Sequence, residues 1–136
     1  MQPIEILLIE DNPADARLAA EVLRCVTIPN SLTVLPDGIE AMAFLKKEGR
    51  YADTPVPDLI LMDVHLPRLG GAKLLTAIQS DGRAQEIPVV VLTGSVDRDE
   101  RAAIQQWPIY RHITKPIDVD VYIRCLQSLL DNFSPS

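Results

Sequence analysis

Three short, almost purely apolar runs constrain this chain more than any other feature: Ile6-Leu7-Leu8-Ile9, Leu59-Ile60-Leu61-Met62 and Val89-Val90-Val91-Leu92. Each is too short for a buried helix. None alternates with polar residues as a strand with one wet face does, so they read as parallel strands covered on both sides. Two further segments, Ser31-Leu32-Thr33-Val34-Leu35 and Ile109-Tyr110-Arg111-His112-Ile113, do alternate and suit the edges of a sheet.

Helical patterns fill the intervals. Pro13 to Val26 sets Ala14, Leu18, Val22 and Cys25 on one stripe behind Asn12 as N-cap. Asp37 to Lys47 turns Ile39, Met42, Ala43 and Leu45 inward, with Gly49 placed to close it. Gly71 to Ser80 offers Leu74, Leu75 and Ile78, while Val96 to Gln106 is short and polar, anchored by Val96, Ala103 and Ile104. Asp118 to Leu130 brings Val119, Tyr122, Ile123, Leu126, Leu129 and Leu130 for burial. Strand and helix thus alternate five times, which predicts an α/β fold: a doubly wound, five-stranded parallel sheet with five helices. Central strands 1, 3 and 4 between outer strands 2 and 5 give the order 2-1-3-4-5. Right-handed crossovers then place the first and fifth helices on one face and the other three opposite.

A chain of 136 residues suits one domain. The expected core runs from about 4 to 130, with a loose segment at Glu48–Pro57, a tail over 132–136 and no attached output domain. No apolar run approaches the roughly 20 residues of a bilayer helix, and the first ten residues lack a secretory pattern, so the expected compartment is the cytoplasm, away from the membrane. A net charge of −6 argues against direct DNA binding, which needs clustered Lys and Arg against phosphates. Cys25 and Cys125 lack any metal-ligand spacing and are expected as reduced packing residues. Glycine-rich nucleotide loops, a serine elbow and Cys–His pairing are absent from the sequence.

In such a sheet, ligands gather at the carboxyl ends of the strands, near the point where strand order reverses. The residues just past the strands are Glu10-Asp11, Asp63, Thr93 and Lys115. Singly, each has an ordinary reading: a helix-capping acid, a turn residue, a strand-end hydroxyl, a solvated cation. Together they bring three carboxylates, a hydroxyl and an ammonium to one edge. Close carboxylates repel, and oxygen-only donors in small number suit Mg²⁺, which favours a phosphoryl partner. A cation, a lysine and a hydroxyl are what a transferring phosphoryl group needs around its oxygens. Asp63, at the end of the central strand, is then a candidate carboxylate nucleophile.

These residues and their spacing resemble the receiver domain of bacterial two-component response regulators, a flavodoxin-like fold, over Ile4 to about Leu130. Glu10-Asp11 resembles the family's acidic pair, and Asp63-Val64-His65-Leu66-Pro67-Arg68-Leu69-Gly70-Gly71 its phosphoacceptor stretch. Thr93 and Lys115-Pro116 follow at the family's intervals of 30 and 22 residues. The resemblance implies Mg²⁺ held by Asp11, Asp63 and the His65 backbone carbonyl, with Glu10 acting through water. It makes Asp63 the phosphoacceptor, Thr93 the switch hydroxyl and Lys115 a phosphoryl contact. The family's switch aromatic falls on His112, with Tyr110 two residues earlier as the other candidate. His65 and Ser95 fall where the family tunes the lifetime of the phosphorylated state. Glu10 for Asp, Gly70 for an acid or amide, and Gly94 for Ala depart from the commoner pattern.

The implied activity is that of a stand-alone phosphoacceptor, not a turnover enzyme beyond self-phosphorylation and autodephosphorylation. It would take phosphate from a sensor histidine kinase or a phosphotransfer protein. The Glu10-Asp11-Asn12-Pro13-Ala14-Asp15 opening and the helix 2–strand 3 loop resemble the subgroup that serves phytochrome-type kinases. The implied readout is a downstream protein or a homodimer, through the surface of the fourth helix, fifth strand and fifth helix. Two alternatives stay open: a receiver-fold interaction module that no longer cycles phosphate, and an Asp-nucleophile phosphatase. The second lacks the usual acid two residues after the nucleophile, where His65 stands.

Overall fold

The computed structural model describes residues 3–66, 70–93, 98, 102, 105, 111–114 and 118–132, with the backbone alone at Ala72, Thr93, Arg111, His112 and Thr114. The strands are β1 (Ile4–Ile9), β2 (Asn30–Leu35), β3 (Leu59–Asp63), β4 (Val89–Thr93) and β5 (Arg111–Thr114). All pair in parallel in the order β2-β1-β3-β4-β5. The helices are α1 (Pro13–Cys25), α2 (Gly38–Leu45), α3 (Gly71–Ser80) and α4 (Val119–Asp131), the last being the fifth expected from sequence. Of the expected helix at 96–106, Arg98, Ala102 and Gln105 are helical and the other positions lie outside the described residues.

The apolar runs are strands because both of their faces are covered. Leu59 to Met62 and Leu7 to Ile9 are wholly buried. Even-numbered β1 residues Ile6 and Leu8 join Leu59, Leu61, Val90 and Leu92 beneath α1 and α4. Leu7, Ile9, Ile60, Met62 and Val91 form the opposite core with α2 and α3. The predicted partition of helices between the two faces therefore holds for these four.

Individual side chains depart from the periodicity. On α1 the buried stripe is Ala19, Val22, Leu23 and then Val26, while Ala14 and Cys25 are exposed. That helix lies on the sheet and beside α4, so two neighbours fix its buried arc, and the expected stripe runs along the arc's margin. Cys125 is buried as expected. Ile39 and Val119 are 45% and 47% exposed, because each sits in the first turn of its helix, beyond the sheet's cover.

The close of α2 also differs. Lys47, not Gly49, takes the left-handed conformation directly after the helix, at φ 58°. Its N–H donates to Phe44 O and that of Glu48 to Ala43 O, the paired bonds of a Schellman cap. Gly49, at φ 56°, opens a 3₁₀ turn over Gly49–Tyr51 instead. That turn ties down the start of the segment expected to be loose. Tyr51 stacks edge-to-face on Phe44 at 5.3 Å, its hydroxyl donates to Glu40, and Arg50 bridges Glu40 at 3.0 Å.

Candidate functional site

Among the described residues the buried charged side chains are Glu10, Asp37 and Asp63, and each stands at or just past the carboxyl end of β1, β2 or β3. Their placement follows from the strands themselves. An apolar run buried on both faces ends where the sheet's edge meets water, and the first polar residue lands there. Asp37 is used locally: its Oδ1 accepts the Glu40 N–H at 2.8 Å and caps α2. Glu10 and Asp63 instead join Asp11, and the carboxylate oxygens of the three lie within 4.8 Å of one another.

Asp63 ends β3 and is 7% exposed; Glu10 is 3% exposed and Asp11 is open to solvent. Asn12, not Asp11, caps α1, its Oδ1 accepting from Ala14 N–H at 2.9 Å and Asp15 N–H at 3.2 Å. The capping role considered for Asp11 is thus filled by its neighbour. The Asn12 N–H donates to Glu10 Oε2 at 3.3 Å, and the Glu10 N–H donates to Leu35 O at 2.9 Å. On the other side, the His65 N–H donates to Asp63 Oδ1 at 2.9 Å and orients that carboxylate.

Two buried like charges at this separation repel by roughly 3–4 kcal/mol at an effective dielectric near 20. Backbone N–H bonds to Glu10 and Asp63, worth about 1.5–3 kcal/mol each, orient the carboxylates and soften that cost without neutralising the cluster's negative charge. A small, hard divalent cation satisfies such a set directly, since all the donors are oxygens and one side faces water. The residues therefore fit Mg²⁺ or a similar ion.

The remaining predicted site residues are placed as follows. Thr93 is the last residue of β4, one step beyond Leu92, which pairs with Asp63, and its Cα partner is Thr114. That register sets it at the same sheet edge as Asp63. His112 lies in β5 opposite Val91. His65 is exposed. Lys115, Tyr110 and Ser95 lie outside the described residues.

Sequence reasoning placed Gly71 in a motif but missed what demands a glycine there. A Cβ on Gly71 would sit 2.5 Å from Val64 O and 2.7 Å from Val64 Cα. The spacing from Asp63 to Gly71 carried no hint of that contact, which only the folded loop creates.

A family model, the response regulator receiver domain, matches residues 6–127. Response regulator Rcp1 of Synechocystis sp. (strain PCC 6803) is 39% identical over 127 residues, covering 93% of this chain and 86% of that protein. A crystal structure of the phosphorylated cyanobacterial phytochrome response regulator RcpA superposes with a TM-score of 0.84 at 37% identity, over 96% of this chain and 93% of that one. The Mn²⁺-bound form of Rcp1 gives 0.83 at 38% identity, over 96% and 94%.

Proposed function

Because this chain belongs to the response regulator receiver family, we propose that it accepts a phosphoryl group on Asp63 from the phosphohistidine of a sensor kinase or phosphotransfer protein. The observation that carries the reading is the convergence of Glu10, Asp11 and Asp63 at the end of the central strands. Asp11, Asp63 and the His65 carbonyl would hold Mg²⁺, with Glu10 through water; when bound, the ion offsets negative charge on the carboxylates and the phosphoryl oxygens.

This chain's residues do the rest. The Asp63 carboxylate, oriented by the His65 N–H, attacks phosphorus as the P–N bond to the donor imidazole breaks. An acyl phosphate forms on Asp63, and the imidazole nitrogen takes up a proton. Thr93 and Lys115 are the proposed contacts of the phosphoryl oxygens, and movement of Thr93 would be answered by Tyr110 or His112 of the strand 5 region. His65 and Ser95 would set how long the acyl phosphate survives attack by water. The switch biases two states of the surface built by 96–106, β5 and α4, which a downstream protein or a second copy reads. Apart from self-phosphorylation and autodephosphorylation, the chain turns over no substrate of its own. Similarity to RcpA, described as a phytochrome response regulator, supports a phytochrome-like kinase as donor, and membership of the receiver family is consistent with a cytoplasmic setting.

The test is mass spectrometry after treatment with acetyl phosphate. A single phosphoryl adduct is expected with Mg²⁺, not formed when EDTA replaces the ion during the reaction, and absent in Asp63→Asn. An adduct that persists in Asp63→Asn, or none in the wild type, overturns the reading. Beryllofluoride binding separates it from an interaction module that no longer cycles phosphate.

A further inference from the structure

We propose that Gly71 is a positioning residue for the cation site, acting through the backbone of Val64 and His65. The inference rests on the reading of the acidic cluster as a Mg²⁺ site. The Val64 carbonyl accepts two N–H groups, from Leu66 at 3.1 Å and from Gly71 at 3.0 Å. The first bond closes a three-residue turn centred on His65. The second fastens that turn to the first residue of α3. The Val64 N–H is itself held by Leu92 O at 3.3 Å, and the His65 N–H by Asp63 Oδ1 at 2.9 Å. Every backbone direction around His65 is thereby set by a neighbour, and its carbonyl is the proposed ligand.

The approach of α3 that makes this possible has no room for a side chain. Atoms at 2.5, 2.7 and 2.9 Å from a Cβ on Gly71 all belong to the Val64 backbone, which cannot swing aside as a side-chain tip can. Nor can α3 rotate away cheaply, since Leu74, Leu75 and Ile78 are fully buried. A methyl group at Gly71 therefore pushes on the Val64–Leu66 turn. The absence of a side chain at Gly70, by contrast, meets no such need: a Cβ there touches nothing within 4 Å.

The experiment compares Mg²⁺ affinity by isothermal titration calorimetry in the wild type, Gly71→Ala and Ile78→Ala, with urea midpoints measured alongside. Ile78 lies in the same helix, two turns from the contact, and reports what loosening α3 alone does to the site. Gly71→Ala is expected to weaken Mg²⁺ binding about tenfold or more, the range seen for residues that support metal ligands, while Ile78→Ala stays close to wild type. Equal affinity in Gly71→Ala and Ile78→Ala overturns the proposal. Should Gly71→Ala fail to fold, amide exchange of the wild type decides. Mg²⁺ should slow exchange at Gly71 and Leu66 more than at Ile78, and equal slowing overturns the proposal. A wild type that binds no Mg²⁺ overturns the site reading itself, which is a different outcome from a binding wild type matched by Gly71→Ala.

Discussion

At the scale of single residues, this chain spends conformational strain where a helix must stop. Lys47 occupies the left-handed region at φ 58°, a conformation that costs a residue with a Cβ roughly 1 kcal/mol. Its carbonyl-capping role uses only the backbone, so the side chain contributes nothing to the cap. Lys47→Gly should therefore raise unfolding free energy by about 0.5–1 kcal/mol, read as a higher urea midpoint at unchanged slope. A fall in midpoint would mean that the Lys47 side chain makes a contact worth more than the strain. Such positions are hard to read in sequence. Gly49 carried the usual signal for a helix stop, yet the Ala43 and Phe44 carbonyls are reached two residues earlier.

At the scale of elements, the join between α2 and β3 shows how polar contacts stand in for secondary structure. Tyr51 donates to Glu40 and lies under Arg50, whose guanidinium sits 4.9 Å from the ring centroid. The Tyr51 hydroxyl, with Arg50 adding to it, holds the Glu40 carboxyl below its ordinary value. A depressed folded-state pKa means that this contribution is present above the unfolded value near 4.5 and is lost as pH falls through the folded one. Tyr51→Phe, which keeps the ring on Phe44, should therefore be less stable than wild type at neutral pH. The difference should shrink on acidification below about pH 4. Urea denaturation across that range checks it, and a pH-independent difference would place the effect in packing instead. Tyr51→Ala removes the ring as well and should cost about 2–4 kcal/mol.

At the scale of the whole molecule, the fold gathers like charge at one edge and holds it there with its own core. Relief of that repulsion should be measurable without any phosphodonor. Asp11→Asn is expected to stabilise the metal-free protein, by about 1 kcal/mol or less given the exposure of Asp11. Mg²⁺ at a hundredfold excess over its dissociation constant should add about 2.7 kcal/mol to the wild type and much less to Asp11→Asn. Urea unfolding with Mg²⁺ and with EDTA reads both. If Asp11→Asn lost stability in EDTA, its carboxylate would be serving the fold rather than burdening it.

The sequence by itself determined the strands, their order, the faces that the described helices cover and the acids that end up together. These follow from periodicity and from where apolar runs stop, and both are local. In the described residues no helix is long and apolar enough to cross a membrane, which the same hydropathy already implied. Tertiary structure alone decided which arc of α1 is buried, that Ile39 and Val119 stay half-exposed, that the segment after α2 is pinned by Tyr51, and that Gly71 must lack a side chain against Val64. The reason is the same in each case. A residue's environment at a junction is set by a second element arriving from a distant part of the chain, and local pattern carries no information about how close that element comes.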